Sequence, residues 1–104
     1  MRYAIVINLD YETFFADDCR FVWNNIKTEM MEAGFILDKR LFTIDRDGKE
    51  AGELARDVIE NLNQSRKLQG VDIYSYMRDF YGYDHSEAVN LLLPTTDSFL
   101  LEMC

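Results

Sequence analysis

Carboxylates gather where the chain leaves its most apolar runs. Asp10 and Glu12 follow YAIVINL (3–9), and Asp45 and Asp47 follow FILDKRLFTI (35–44). If these two runs are parallel strands joined by a right-handed crossover, their carboxyl ends share one rim and the acids converge there. An oxygen-only set of this kind suits Mg²⁺ or Mn²⁺ completed by waters. A metal so held polarises a phosphoryl oxygen or activates water. The same acids have a structural use, because an Asp between a strand and a helix caps the helix and complements its dipole. Both uses stand open at this level. DRDG (45–48) has the start of a calcium loop, but no bidentate Glu follows at the required position.

Other chemistry is sparsely marked. His85 is the sole histidine and sits among turn formers in YGYDHSEA, a setting for an exposed or capping imidazole more than for a general base. Cys19 and Cys104, with one histidine, fall short of the roughly four N/S ligands of a zinc site. Cys19 falls on an apolar helical stripe, which makes it a core residue. No nucleophile elbow, phosphate loop or dinucleotide fingerprint is present. The densest unusual feature is YSYMRDFYGYD (74–84). Tyr74, Tyr76, Phe80 and Tyr81 are the candidate interface residues here. Segment 74–83 also offers stacking faces for a planar ligand, as in a small-ligand sensor, or tyrosine bodies that pack on a core with their hydroxyls in water.

The elements that must position these residues follow from periodicity. Residues 3–9 read as a strand without an exposed face. Phe15, Cys19, Val22, Trp23, Ile26, Met30 and Ala33 recur at helical spacing, with Asp17 and Asp18 near the first turn and Gly34 at the left-handed cap position. Residues 35–44 read as a second strand. Ala51, Leu54, Ala55, Val58, Ile59 and Leu62 form one helical stripe, opened by Asp47 and Glu50 in capping-box spacing. Residues 72–81 fit a third, aromatic helix, with Asp72 as cap and Gly82 as stop. Residues 88–94 read as a strand closed by Pro94, and 98–104 as an edge strand or tail. One domain over 1–104 is expected. Its fold class is α+β, a ferredoxin-like split βαβ with helices on one face of a small, mostly antiparallel sheet, plus the aromatic helix near 72–81.

Composition narrows the partners. Nineteen acids against eleven Lys and Arg give −8, which repels phosphate backbones, so nucleic acid is disfavoured. No apolar run approaches the ~18 residues of a membrane span, and no signal peptide is seen, so a cytoplasmic location is expected. An apolar sheet face left open by one-sided helices calls for a cover, and a homodimer supplies it.

YAIVINLD, then a helix ending in EAGF, then LDKRLFTI and KEAGELARDVIENL, resembles virulence-associated protein D and the small CRISPR-associated ferredoxin-fold endoribonucleases. The likeness covers residues 1 to about 62, while the chain from 63 onward departs from those families' pattern. It implies a dimer. For some members it also implies RNA cleavage by a divalent metal on the Asp that ends the first strand, here Asp10. The expectation is a non-enzymatic, homodimeric interaction or regulatory module without a cofactor. The alternatives are a metal-dependent endoribonuclease with Asp10, Asp45 and Asp47 as metal ligands, and a small-ligand sensor.

Overall fold

The computed structural model describes residues 2–85. β1 (Tyr3–Leu9) leads into α1 (Ala16–Glu32), and β2 (Ile36–Asp38) and β3 (Leu41–Ile44) precede α2 (Gly48–Gln64). A 3₁₀ turn (Arg66–Leu68) and one helical turn, α3 (Ile73–Tyr76), then bring the chain to β4 (Met77–Asp84). The fold is α+β: a four-stranded sheet ordered β2-β3-β1-β4, antiparallel throughout, carrying two main helices. The 3₁₀ turn and α3 interrupt the plain βαββαβ alternation of a ferredoxin-like chain.

Alternation along β1 sorts the sheet into two faces. Ile5, Ile7 and Leu9 join Cys19, Val22, Ile26 and Met30 of α1 and Ala51, Ala55, Ile59 and Leu62 of α2 in one core. Phe42, opposite Ile5 on β3, is fully buried there and tilts against Trp23 at 5.4 Å. Ala4, Val6 and Asn8 point the other way, together with Thr43 and Leu41, Ile36 and Asp38, and Tyr83, Tyr81 and Asp79, which share their register rows. Among the described residues no helix covers that second face.

α1 ends as expected. Gly34 takes φ 111°, its N–H donates to Met31 O and that of Phe35 to Met30 O, the paired bonds of a Schellman cap. Phe15, by contrast, lies just before the helix and is 82% exposed, outside the apolar stripe.

Two expectations are corrected. Residues 35–44 are not one strand but a hairpin that turns at Lys39 and Arg40, with Lys39 at φ 60°. No Asn-Gly or Asp-Gly marks that turn, and unbroken β-prone residues on both sides hide it. Residues 72–81 are not a helix: only Ile73–Tyr76 is helical, and Met77–Asp84 pairs along β1. Aromatic residues occupy both faces of that strand, so they satisfy helical spacing as well as alternation. Pairing with β1 decides between the two. The strand read at 88–94 and the segment at 98–104 lie outside the described residues.

Candidate functional site

Asp10 follows Leu9 at the end of β1, and its carboxylate serves the backbone. Oδ1 accepts from Glu12 N at 3.2 Å and from Thr13 N at 3.1 Å, while Asp10 N–H donates to Tyr76 O at 2.8 Å. Its carbonyl accepts from Phe14 N at 3.3 Å and from the Cys19 thiol at 3.7 Å. Asp10 thus folds the 11–14 turn that feeds α1 and ties it to α3. Hydrogen bonds from Thr13 lead in holding its pKa below the ordinary value of 3.8, with Glu12 N–H and the Arg78 charge adding to them.

The sign of the resulting pH dependence follows. A depressed folded pKa gives a stabilisation that is full above 3.8 and is lost as pH falls through the lower, folded value. Asp10→Ala should therefore lower the urea midpoint at neutral pH. The gap to the unsubstituted chain should shrink as the pH is taken to about 3, close to the ordinary carboxylate range. A gap that stays constant with pH would overturn this role.

Asp45 and Asp47 are not brought to Asp10, which corrects the expected metal set. β3 runs antiparallel to β1, with Ile44 opposite Tyr3, so Asp45 leaves the sheet beside the start of β1. Asp10 leaves from the end of β1, roughly 25 Å away at the rise of an antiparallel strand. The unexpected hairpin is the cause, because it reverses the chain once more before Asp45. Asp47 caps α2, its Oδ1 accepting from Glu50 N at 2.8 Å. Among the described residues no three His, Cys, Asp or Glu side chains converge as a metal site would require. The donor set implied for Mg²⁺ or Mn²⁺ does not fit.

The four candidate aromatics do not form one surface. Tyr76 stacks on Phe14 with centroids 3.9 Å apart. Burial raises its pKa. Phe80 packs inward from β4 against the core. Tyr74 donates its hydroxyl to Glu60 Oε2 at 2.9 Å. Its pKa is raised first by burial and then by that carboxylate. Of the four, only Tyr81 stands on the second sheet face, 55% exposed, and Tyr83 joins it at 37%. Tyr83 was missed as a site residue, although Tyr81, Tyr83 and His85 alternate, which is the pattern that finds it. Phe80 and Tyr81 also border a small cleft of about 140 Å³ beside Gly52, Ala55 and Arg56, which is narrow for a planar ligand.

The second face has a definite layout, with Ala4 and Thr43 buried at its middle. Ile36, Thr43, Ala4 and Tyr83 form one row, and Asp38, Leu41, Val6 and Tyr81 the next. Val6 is 8% exposed, Ile36 56%. Asp79 closes the far end, accepting from Asn8 Nδ2 and from Arg78 Nε at 3.1 Å each. Asn8 first and Arg78 next hold its pKa low. At the near end His85 donates its backbone N–H to Arg2 O at 2.9 Å and sets its ring at an edge to Tyr83, 6.0 Å away.

Beneath the 11–14 turn, Cys19 is a free, buried thiol. Burial pushes its pKa up, and the carboxylates of Asp10 and Asp18 add to the shift. No helix among the described residues is long and apolar enough to cross a membrane. Neither a protein-family model, a curated protein nor a solved structure matches this chain.

Proposed function

We propose that this chain is a non-enzymatic interaction module that self-associates through the exposed tyrosine end of the second face of its sheet. The observation that carries this reading is the exposure of Tyr81 and Tyr83 on the second face of the sheet, with Ile36 exposed at its other edge and no helix over that face among the described residues. Apolar faces of this kind mark interaction surfaces, and tyrosine is a residue enriched in their energetic centres.

The ferredoxin-like reading of the sheet belongs to this proposal. It is supported by two crossovers, β1–α1–β2 and β3–α2–β4, each of which skips one strand. A dimer and that plan are also what the likeness of residues 1–62 to virulence-associated protein D implies. A reducing, cytoplasmic setting agrees with the free thiol of Cys19.

Scale sets the strength of the association. Two strands about 25 Å long and two of roughly 10–13 Å, at 4.8 Å spacing, present at most roughly 350 Å², against about 800 Å² per partner in a standard interface. The dimer is therefore an exchanging one. Sedimentation velocity over a concentration series should show a monomer–dimer equilibrium, and Tyr81→Lys with Tyr83→Lys should weaken it at least about tenfold, or 1.4 kcal/mol. The far-UV circular dichroism should stay unchanged. Association untouched by the pair, or a monomer at every concentration, overturns the proposal. Tyr76→Ala and Phe80→Ala are not suitable probes, because both side chains pack inward and their loss acts on folding.

A further inference from the structure

β4 is an outer strand of the sheet, and β1 is its one neighbour among the strands described. The ladder between them fixes which backbone groups of β4 look outward. His85 N–H donates to Arg2 O at 2.9 Å, which makes these two a hydrogen-bonded pair. Bonded and non-bonded pairs alternate along antiparallel strands, so Tyr83 bonds with Ala4 and Tyr81 with Val6. Gly82 and Phe80, opposite Ile5 and Ile7, therefore turn their N–H and C=O groups to the outer edge. Sheet edges are ordinarily blunted by charge, proline or a bulge. In β4 the register shift and the charges Arg78, Asp79 and Asp84 stand toward its two ends. Residues 80–83 between them carry no charge and no proline.

We propose that β4 pairs edge to edge with β4 of a second copy, antiparallel about a twofold axis through Tyr81, joining the two four-stranded sheets into one. The inference rests on the self-association proposed above and specifies its geometry. The edge is its own complement, which selects a second copy as its occupant. Its outward residues flank Tyr81 symmetrically, so Phe80 of each copy exchanges both bonds with Gly82 of the other. That register sets Asp79 opposite Tyr83 and Asp84 opposite Arg78, and no two acids face each other across the axis. It also carries the tyrosine patch over the junction. Tyr81 and its symmetry mate form a non-bonded pair with Cα atoms about 4.5 Å apart, and Tyr83 reaches Tyr81 of the other copy on the diagonal. Backbone bonds supply what the side chains lack, because the second face alone falls well short of the about 800 Å² per partner of a standard interface.

Amide hydrogen exchange of the full, unsubstituted chain tests this, read residue by residue by NMR on both sides of the monomer–dimer midpoint. Sedimentation velocity gives the dimer fraction of each sample. With about nine-tenths of the chain dimeric, the Phe80 and Gly82 amides should exchange about tenfold more slowly, since exchange then proceeds from the remaining monomer. The Tyr81 and Tyr83 amides, bonded to β1 in both states, should change little. A dimer whose Phe80 and Gly82 amides exchange as fast as in the monomer overturns the edge pairing and leaves self-association standing. Protection of both amides in the dilute monomer also overturns it, because the edge is then closed within one chain. A monomer at every concentration overturns self-association and this inference with it.

Discussion

Phe42→Ala should lower the unfolding free energy by about 3–5 kcal/mol, the cost of removing a fully buried aromatic ring together with the cavity it leaves. Phe42 is 0% exposed and lies on a central strand, between Leu37 and Ile5 in register and beneath Trp23. Elements fixed from two sides cannot collapse onto the space. For a domain of this size the melting point falls by roughly 4–8 °C per kcal/mol, so the loss is visible in a simple thermal scan. The chain's single tryptophan gives a local check: Trp23 emission should move to the red as its ring neighbour disappears. Urea unfolding that loses less than about 1 kcal/mol, with unshifted emission, would contradict the packing of this core.

Gly82→Ala is the second large effect, and its cause is crowding. A Cβ at Gly82 would stand 2.6 Å from the Tyr3 ring, 3.0 Å from Ala4 O and 3.0 Å from Ile5 Cδ1. A Cβ at Gly48 would stand 2.8 Å from the other edge of the Tyr3 ring. Tyr3 thus occupies a slot between the first turn of α2 and the middle of β4, a slot that two glycines keep open. The ring can swing away, but Ala4 O is backbone on a central strand. A cost of about 1–3 kcal/mol is expected for such overpacking. A double-mutant cycle identifies the mechanism: Gly82→Ala should cost less in a Tyr3→Ala background, with a coupling within the 0.5–3 kcal/mol range of residues in contact. Additive costs would show that the Tyr3 ring is not what crowds the position.

The parts of the fold legible in the sequence are those whose signals are local and unopposed. The stripe from Ala51 to Leu62, the Asp47 cap and the Gly34 stop are each fixed by a few adjacent residues, and α1 and α2 follow. The β2–β3 hairpin was hidden because its turn is Lys39-Arg40, a pair without turn chemistry of its own, held by pairing on both sides. β4 was hidden because Phe80 and Tyr81 are both aromatic although they face opposite sides of the sheet. The candidate site failed with the topology: one unread reversal moved Asp45 and Asp47 from the rim of Asp10 to the other end of the sheet. Arg2, Thr43 and His85 meet only through strand register, which no local spacing encodes.

The buried thiol beneath the 11–14 turn also keeps time. Only the thiolate reacts with an alkylating reagent, and Cys19 is both enclosed and held protonated. Every modification at that sulfur therefore records one excursion in which the start of α1 lifts from the sheet. When reclosure outruns the reagent, the labelling rate reads the population of that excursion; when reagent is in excess, it reads the opening rate itself. The chain carries its own stopwatch for the segment that Asp10 fastens.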